Sequence, residues 1–168
     1  CGTNLHRSPY NARNHEYYSE DAVLTSGQAV AFISGGKEYG VIIAPKHLAF
    51  NDTEINRTGV SVFMTEQQAR ENELRGTQAA IEDGGALGVM TAFNRVGITA
   101  ANAHTGLLKN ILRGEWGFKG LESQDFIMNP NYAVLKEYAL NGGTMTTFTG
   151  ENTMAAVSEK FAYWTTEN

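Results

Sequence analysis

The stretch GEWGFKGLESQDF, Gly114 to Phe126, decides how the chain is read. A helix running over 104–116 leads into it, and a strand over 120–126 closes it. A strand buried on both faces carries a continuous apolar run, yet Glu122, Ser123 and Gln124 occupy its middle. Asp125 at its end is therefore either a catalytic carboxylate at a strand tip or a polar loop residue. Taken alone, an Asp before a Phe favours a helix cap or loop.

Working outward, short apolar runs alternate with amphipathic segments. Helices are expected over 21–39, where Val23, Val30 and Ile33 are spaced for one face and acidic residues sit at the start, and over 65–83. In the latter, Thr65 and Gln68 have capping-box spacing, and Gly84-Gly85 stops the run. Further helices are expected over 132–140 and 152–164. The run Val41-Ile42-Ile43-Ala44 predicts a strand buried on both faces; 87–93 and 144–148 predict two more, and Gly2–Leu5 a partial one. Strand–helix alternation implies parallel pairing through right-handed crossovers. The fold class is α/β, as a five-stranded open sheet or an incomplete (β/α)8 barrel of four to five βα units. A complete barrel needs about 250 residues, more than the 168 present, so residues 1–168 are expected to form one partial-barrel domain.

Composition excludes several functions. Hydrophobic residues make up 42% and charged residues 18% of the chain, a globular balance. A net charge of −5 without a basic run argues against nucleic acid or an anionic membrane as partner. No apolar run has the length of a membrane span. The single Cys1 forms no internal disulfide. With no signal-like start, the expectation is a cytoplasmic setting. No GxGxxG or GxxxxGK[ST] pattern is present to cradle phosphates. His6, His15, His47 and His104 lack ligand spacing, with His15 and His104 expected at the surface. No cofactor or metal is expected.

In parallel α/β folds, functional groups gather at the carboxyl ends of the strands. Those ends offer Lys46-His47, Phe93-Asn94-Arg95 and Asp125, with His6, Arg7 and Arg13 in the long polar loop after the partial strand. A carboxylate, a Lys–His pair and an Arg suit a polyhydroxylated ligand, held by charged hydrogen bonds. Tyr10, Tyr17 and Tyr18 either stack on a sugar ring or pack against a helix.

Four segments in order, NLHRSPYNARNHEYYSED, PKHLAFNDTEINR, VMTAFNRV and LRGEWGFKGLESQDF, resemble the motifs RNFEYYSEDP, KHFxxNxQExxR, VMTAYNxxNG and LRxEWGFKGxVxSDW of family 3 glycoside hydrolases, in their β-glucosidase branch. The resemblance covers nearly the whole chain and implies the C-terminal portion of that family's (β/α)8 barrel domain. It implies that Asp125 is the nucleophile of a retaining exo-β-glycosidase acting on a β-linked glucoside or similar saccharide. It further implies that Arg13, Lys46 and His47 hold the glycone, with Phe93 where a Tyr is usual. A retaining glycosidase pairs its nucleophile with an acid/base about 5–5.5 Å away. The family's acid/base Glu lies in another domain that nothing here matches. VGIT stands in place of the Asn-Gly after the third motif, and Glu122-Ser123-Gln124 in place of an apolar strand. Nearby Lys46 and Arg13 are expected to lower the pKa of Asp125. Two readings follow: a fragment of a β-glucosidase carrying the nucleophile and glycone site, inactive alone, or a non-catalytic part-barrel that self-associates and binds sugar weakly. Either way, the expected partner is a second copy or the remainder of a parent enzyme.

Overall fold

Asp21 opens the first long helix: its side chain accepts the Leu24 N–H at 2.6 Å and caps α1 (Ala22–Glu38). The computed structural model describes residues 1–126, 134–147, 155–156 and 158–159. After α1 come β1 (Lys46–Leu48), β2 (Ser61–Val62), α2 (Glu66–Gln68), a π-helical turn (Ala69–Glu73) and α3 (Arg75–Glu82). Thr65 caps α2 by accepting the Gln68 N–H at 3.2 Å, as its spacing predicts. Gly85, at φ +71°, takes the left-handed turn that ends α3. Then follow β3 (Gly88–Thr91), β4 (Arg95–Val96), β5 (Thr99–Ala100), a π-helix (Gly106–Glu115), β6 (Leu121–Gln124) and α4 (Leu135–Leu140).

The main sheet has the order β1–β3–β6, all parallel. On one side Gly2 bridges Lys46 and Tyr17 bridges Gly2, both in parallel, and on the other Met145 bridges Ser123 in parallel. The result, among the described residues, is an arc of six parallel positions with the helices outside it, a partial (β/α)8 barrel. Its core joins Ala29 and Ile33 of α1, Ala80 and Ile81 of α3, Val89 of β3, and Leu108 and Leu112 of the π-helix. Apolar burial between helix layer and sheet is the main stabilising term.

Two expected strands differ. Val41 and Ile42 are 55% and 62% exposed and lie outside the ladder. The Val41 amide is used to close α1, donating to Gly36 O at 3.0 Å. Pro45 has no N–H to give, and the parallel ladder starts at Lys46. The predicted strand over 144–148 reduces, within the described residues, to the Met145 bridge. Most of the helix expected over 152–164 lies outside the described residues. A second small sheet, β2–β4–β5, was not expected: β2 pairs in parallel with β4, and β4 and β5 form a hairpin. Strands of two residues leave no alternation to detect.

The stretch from Gly114 folds around Arg113, which donates to the carbonyls of Phe118 at 3.2 Å, Gly120 at 2.8 Å and Gly142 at 2.6 Å. Phe118 and Trp116 are buried. A Cβ on Gly120 would stand 2.2 Å from Leu87 O, so only glycine lets β6 start against β3 there. Glu122, Ser123 and Gln124 are all buried. Gln124 accepts from Asn102 Nδ2 at 2.8 Å, whereas neither carboxyl oxygen of Glu122 has a partner among the described residues. The open edge that would have relieved Glu122 is covered by Thr144, Met145 and α4.

Candidate active site

Parallel pairing puts the carboxyl ends of β1, β3 and β6 side by side. Asn94, just past β3, donates to Ala49 O at 2.9 Å just past β1 and ties these ends together. Asp125 follows β6 directly. Its side chain is 10% exposed, and its Oδ2 lies 3.7 Å from His47 Nε2 and 3.5 Å from Arg57 Nη1. Its Oδ1 accepts the Phe126 N–H at 2.9 Å.

His47 is fixed on every side. Its N–H donates to Asn4 Oδ1 at 2.8 Å, Asn4 Nδ2 donates to its carbonyl at 3.1 Å, and Asn51 Nδ2 stands 3.3 Å from its Nδ1. When Asn51 donates to Nδ1, the ring proton sits on Nε2, facing Asp125; Asn4 Oδ1, 3.4 Å from the same Nδ1, is the acceptor for the other tautomer. Burial, reinforced by the charges of Arg13 and Lys46, pushes the His47 pKa down to about 2, so the ring is neutral at any ordinary pH.

The charged groups form one alternating line. Lys46 Nζ pairs with Glu16 Oε2 at 2.8 Å, and Arg13 Nε donates to Glu16 Oε1. Arg13 Nη1 reaches Glu54 Oε2 at 3.2 Å, Glu54 Oε1 meets Arg57 Nε at 3.0 Å, and Arg57 then faces Asp125. Burial would raise the Glu16 pKa, but its hydrogen bonds from Arg13 and Lys46 outweigh that and bring it down to about 2. The Arg57 guanidinium lies 4.4 Å over the Phe93 ring, a cation–π contact that orients it.

Arg13, Lys46, His47, Phe93 and Asp125 thus converge on one end of the sheet. The Asp125 pKa departs from expectation. Burial raises it, and the Phe126 N–H, Arg57, Arg13 and Lys46 only partly offset that. Tyr17 is buried and donates to Asn51 O at 2.7 Å; it supports the loop that carries Asn51, while Tyr10 is exposed. His15 is exposed as expected, but His104 is half-buried and its Nδ1 accepts the Leu107 N–H at 3.0 Å at the start of the π-helix. Arg57, Glu54 and Glu16 were not singled out as site residues. For the first two, the available signal was the Glu–x–x–Arg spacing within PKHLAFNDTEINR, which makes an i,i+3 ion pair in the loop after β1. Among the described residues no group of three His, Cys, Asp or Glu could hold a metal ion, and no helix is long and apolar enough to cross a membrane.

Known proteins share this chain's sequence pattern and fold. The family described as Glycosyl hydrolase family 3 N terminal domain matches residues 3–143. Beta-glucosidase B of Emericella nidulans is 41% identical over 122 residues, which is 73% of this chain and 14% of that protein. The structure of beta-glucosidase 3B from Thermotoga neapolitana in complex with glucose superposes with a TM-score of 0.80 at 35% identity, covering 86% of this chain and 20% of that one. The beta-glucosidase from Kluyveromyces marxianus superposes at 0.86 with 27% identity, over 97% of this chain and 19% of that one. The chain therefore spans 14% of the length of the Emericella relatives. From the match over residues 3–143 and the shared barrel arc, the chain belongs to glycosyl hydrolase family 3, as a β-glucosidase-like portion of its N-terminal barrel.

Proposed function

We propose that this chain supplies the nucleophile and the glycone-binding wall of a retaining, exo-acting β-glucosidase, and that the acid/base comes from elsewhere in the enzyme. The observation that carries this reading is the position of Asp125, a nearly buried carboxylate at a strand end between the neutral His47 and the Arg57 cation. In such an enzyme, an Asp125 oxygen attacks the anomeric carbon as the glycosidic C–O bond breaks, and the departing oxygen takes a proton from the acid. Water then cleaves the glycosyl ester. The neutral Nε2–H of His47 and the cations of Arg13 and Lys46 are donors suited to sugar hydroxyls. Glu16 and Glu54 are poor candidates for the acid, because both are held by arginines and the Glu16 pKa sits near 2.

One observation favours the second reading, a non-catalytic part-barrel with weak sugar affinity: Lys46 and Arg13 already share Glu16, so a sugar hydroxyl competes with a strong acceptor. Association with a second copy, or with the remainder of a longer enzyme, would serve either reading, because among the described residues the arc ends at Tyr17 and Met145 without closing.

A fluorinated β-glucoside with a dinitrophenolate leaving group separates the two readings, since that leaving group needs no acid. The chain should gain the mass of one fluoroglucosyl group on Asp125, and Asp125→Ala should gain none. No adduct, or an adduct on another carboxylate, overturns the nucleophile assignment.

A further inference from the structure

Away from Asp125, two acidic side chains are buried against each other. Asp52, in the loop after β1, is 8% exposed, and Glu73, the last residue of the π-helical turn, is 3% exposed. A single cation serves both: Arg7 Nη1 reaches Asp52 Oδ2 at 2.6 Å, and its Nε lies 3.6 Å from Glu73 Oε1. The remaining oxygens, Asp52 Oδ1 and Glu73 Oε2, meet no donor among the described residues. Two ionised carboxylates only accept, so they cannot satisfy one another. With one proton between them, the contact becomes a hydrogen bond and the trio Arg7–Asp52–Glu73 becomes neutral.

We propose that Asp52 and Glu73 share one proton, and that this proton, with Arg7, latches the 51–57 loop onto the helical layer. That loop carries Glu54 and Arg57, so the latch positions the residues that reach Asp125. The latch itself stands without the glycosidase reading; only its consequence for Asp125 rests on that reading.

The charged surroundings agree. Burial raises the pKa of both carboxyls, and at Glu73 the Asp52 charge adds to it and takes the value to about 8. Arg7, from the loop after the Gly2 segment, is the cation acting on both. Tyr17 is the other titratable group that senses Asp52, and it stays neutral with its hydroxyl on Asn51 O. The apparent value belongs to the pair, with the proton resting on Glu73 and Asp52 accepting it.

The direction of the pH effect follows. In the unfolded chain Glu73 ionises near its ordinary 4.5, and in the folded one near 8. Its contribution is whole below the first value and is lost as pH rises to the second. Between pH 6.5 and 9, opening of the loop should therefore grow on the order of tenfold or more. Glu73→Gln replaces the shared proton with a permanent amide donor to Asp52 and removes this dependence. Trypsin cleavage after Arg57 reads the opening, with the wild-type chain and Glu73→Gln compared at each pH so that the protease's own pH profile cancels. The wild-type to variant ratio should rise by that factor. The melting temperature of the wild type, relative to the variant, should fall over the same range. A ratio and a melting difference that stay constant from pH 6.5 to 9 overturn the proposal. If Glu73→Gln fails to fold, Asp52→Asn makes the same test from the other side. Fluoroglucoside labelling of Asp125 is scored separately, so a failed latch and a failed glycosidase reading give different results.

Discussion

Replacing Glu122 with methionine should stabilise the protein, and by more at high pH than at low pH. Glu122 is 1% exposed, and neither carboxyl oxygen has a hydrogen-bond partner among the described residues. The hydroxyls nearest to it are engaged elsewhere: Tyr138 donates to the carbonyls of Glu122 at 3.0 Å and Met145 at 2.7 Å, and Thr91 donates to Ser123 O at 3.4 Å. They temper the rise in pKa without supplying a partner, and burial takes the value from an ordinary 4.5 to about 7. A rise of that size disfavours the ionised form in the folded chain by about 3 kcal/mol. Because the folded value lies above the unfolded one, this loss is absent at low pH and accumulates as pH rises through about 7. Methionine has a similar length and no charge to desolvate. The stability gap between Glu122→Met and wild type should widen by about 2–3 kcal/mol from pH 5 to pH 8. At roughly 2–4 °C per kcal/mol for a chain of this size, the melting temperatures should separate by about 4–12 °C more at pH 8. Thermal melts followed by circular dichroism across that range are the assay. A gap that does not change with pH would show that Glu122 finds a partner or water in solution, and a destabilised variant at pH 8 would refute the argument outright.

Three other outcomes follow from single contacts. Arg57→Met removes the cation 3.5 Å from Asp125, so the Asp125 pKa should climb further. In a full-length enzyme that would move the acid limb of its pH–rate profile to higher pH, and an unchanged limb would count against the pairing. Asp125→Ala in the same enzyme should lower kcat by several orders of magnitude while leaving the melting temperature nearly unchanged; residual turnover close to wild type would exclude it as nucleophile. Thr65→Ala loses the cap on Gln68 N at 3.2 Å and should cost about 1 kcal/mol in denaturant unfolding, with a change under a few tenths refuting the cap.

The fold was legible because strand–helix alternation survives local error. Misplacing the first strand by a few residues left β1, β3 and β6 side by side and parallel, as the alternation implies. That misplacement has a clear source: an apolar run such as Val41–Ala44 has the same composition whether it fills a sheet or lies exposed beside one, and only the hydrogen-bond ledger around Pro45 decides. The place of Asp125 at the end of β6 was legible from the strand–helix alternation, whereas its proposed role came from the motif resemblance. The latch was not legible at all, since nothing in the spacing of Arg7, Asp52 and Glu73 brings three separate segments to one point; that is a product of tertiary packing.

The expectation that Lys46 and Arg13 would hold the Asp125 pKa down failed for a reason that reaches beyond one residue. Counting cations near a carboxylate leaves out what burial costs it: Arg57, Arg13 and Lys46 all act to lower the Asp125 pKa, and burial still raises it. Glu16 takes Lys46 and half of Arg13, while Glu54 takes the other half and also holds Arg57. The one cation in direct reach of Asp125 among the described residues is the Arg57 guanidinium, shared with Glu54 and lying over Phe93, while burial keeps His47 neutral. Opposite charges that alternate along a line weaken one another at distance, so the last link acts most strongly at its end, and Arg57 is the largest of the three cationic influences on Asp125. At Asp125 that link is Arg57, and desolvation of a side chain only 10% exposed outweighs it. Removing Arg57 would therefore alter Asp125 more than removing Lys46 would, although Lys46 is the residue that the sequence brings forward.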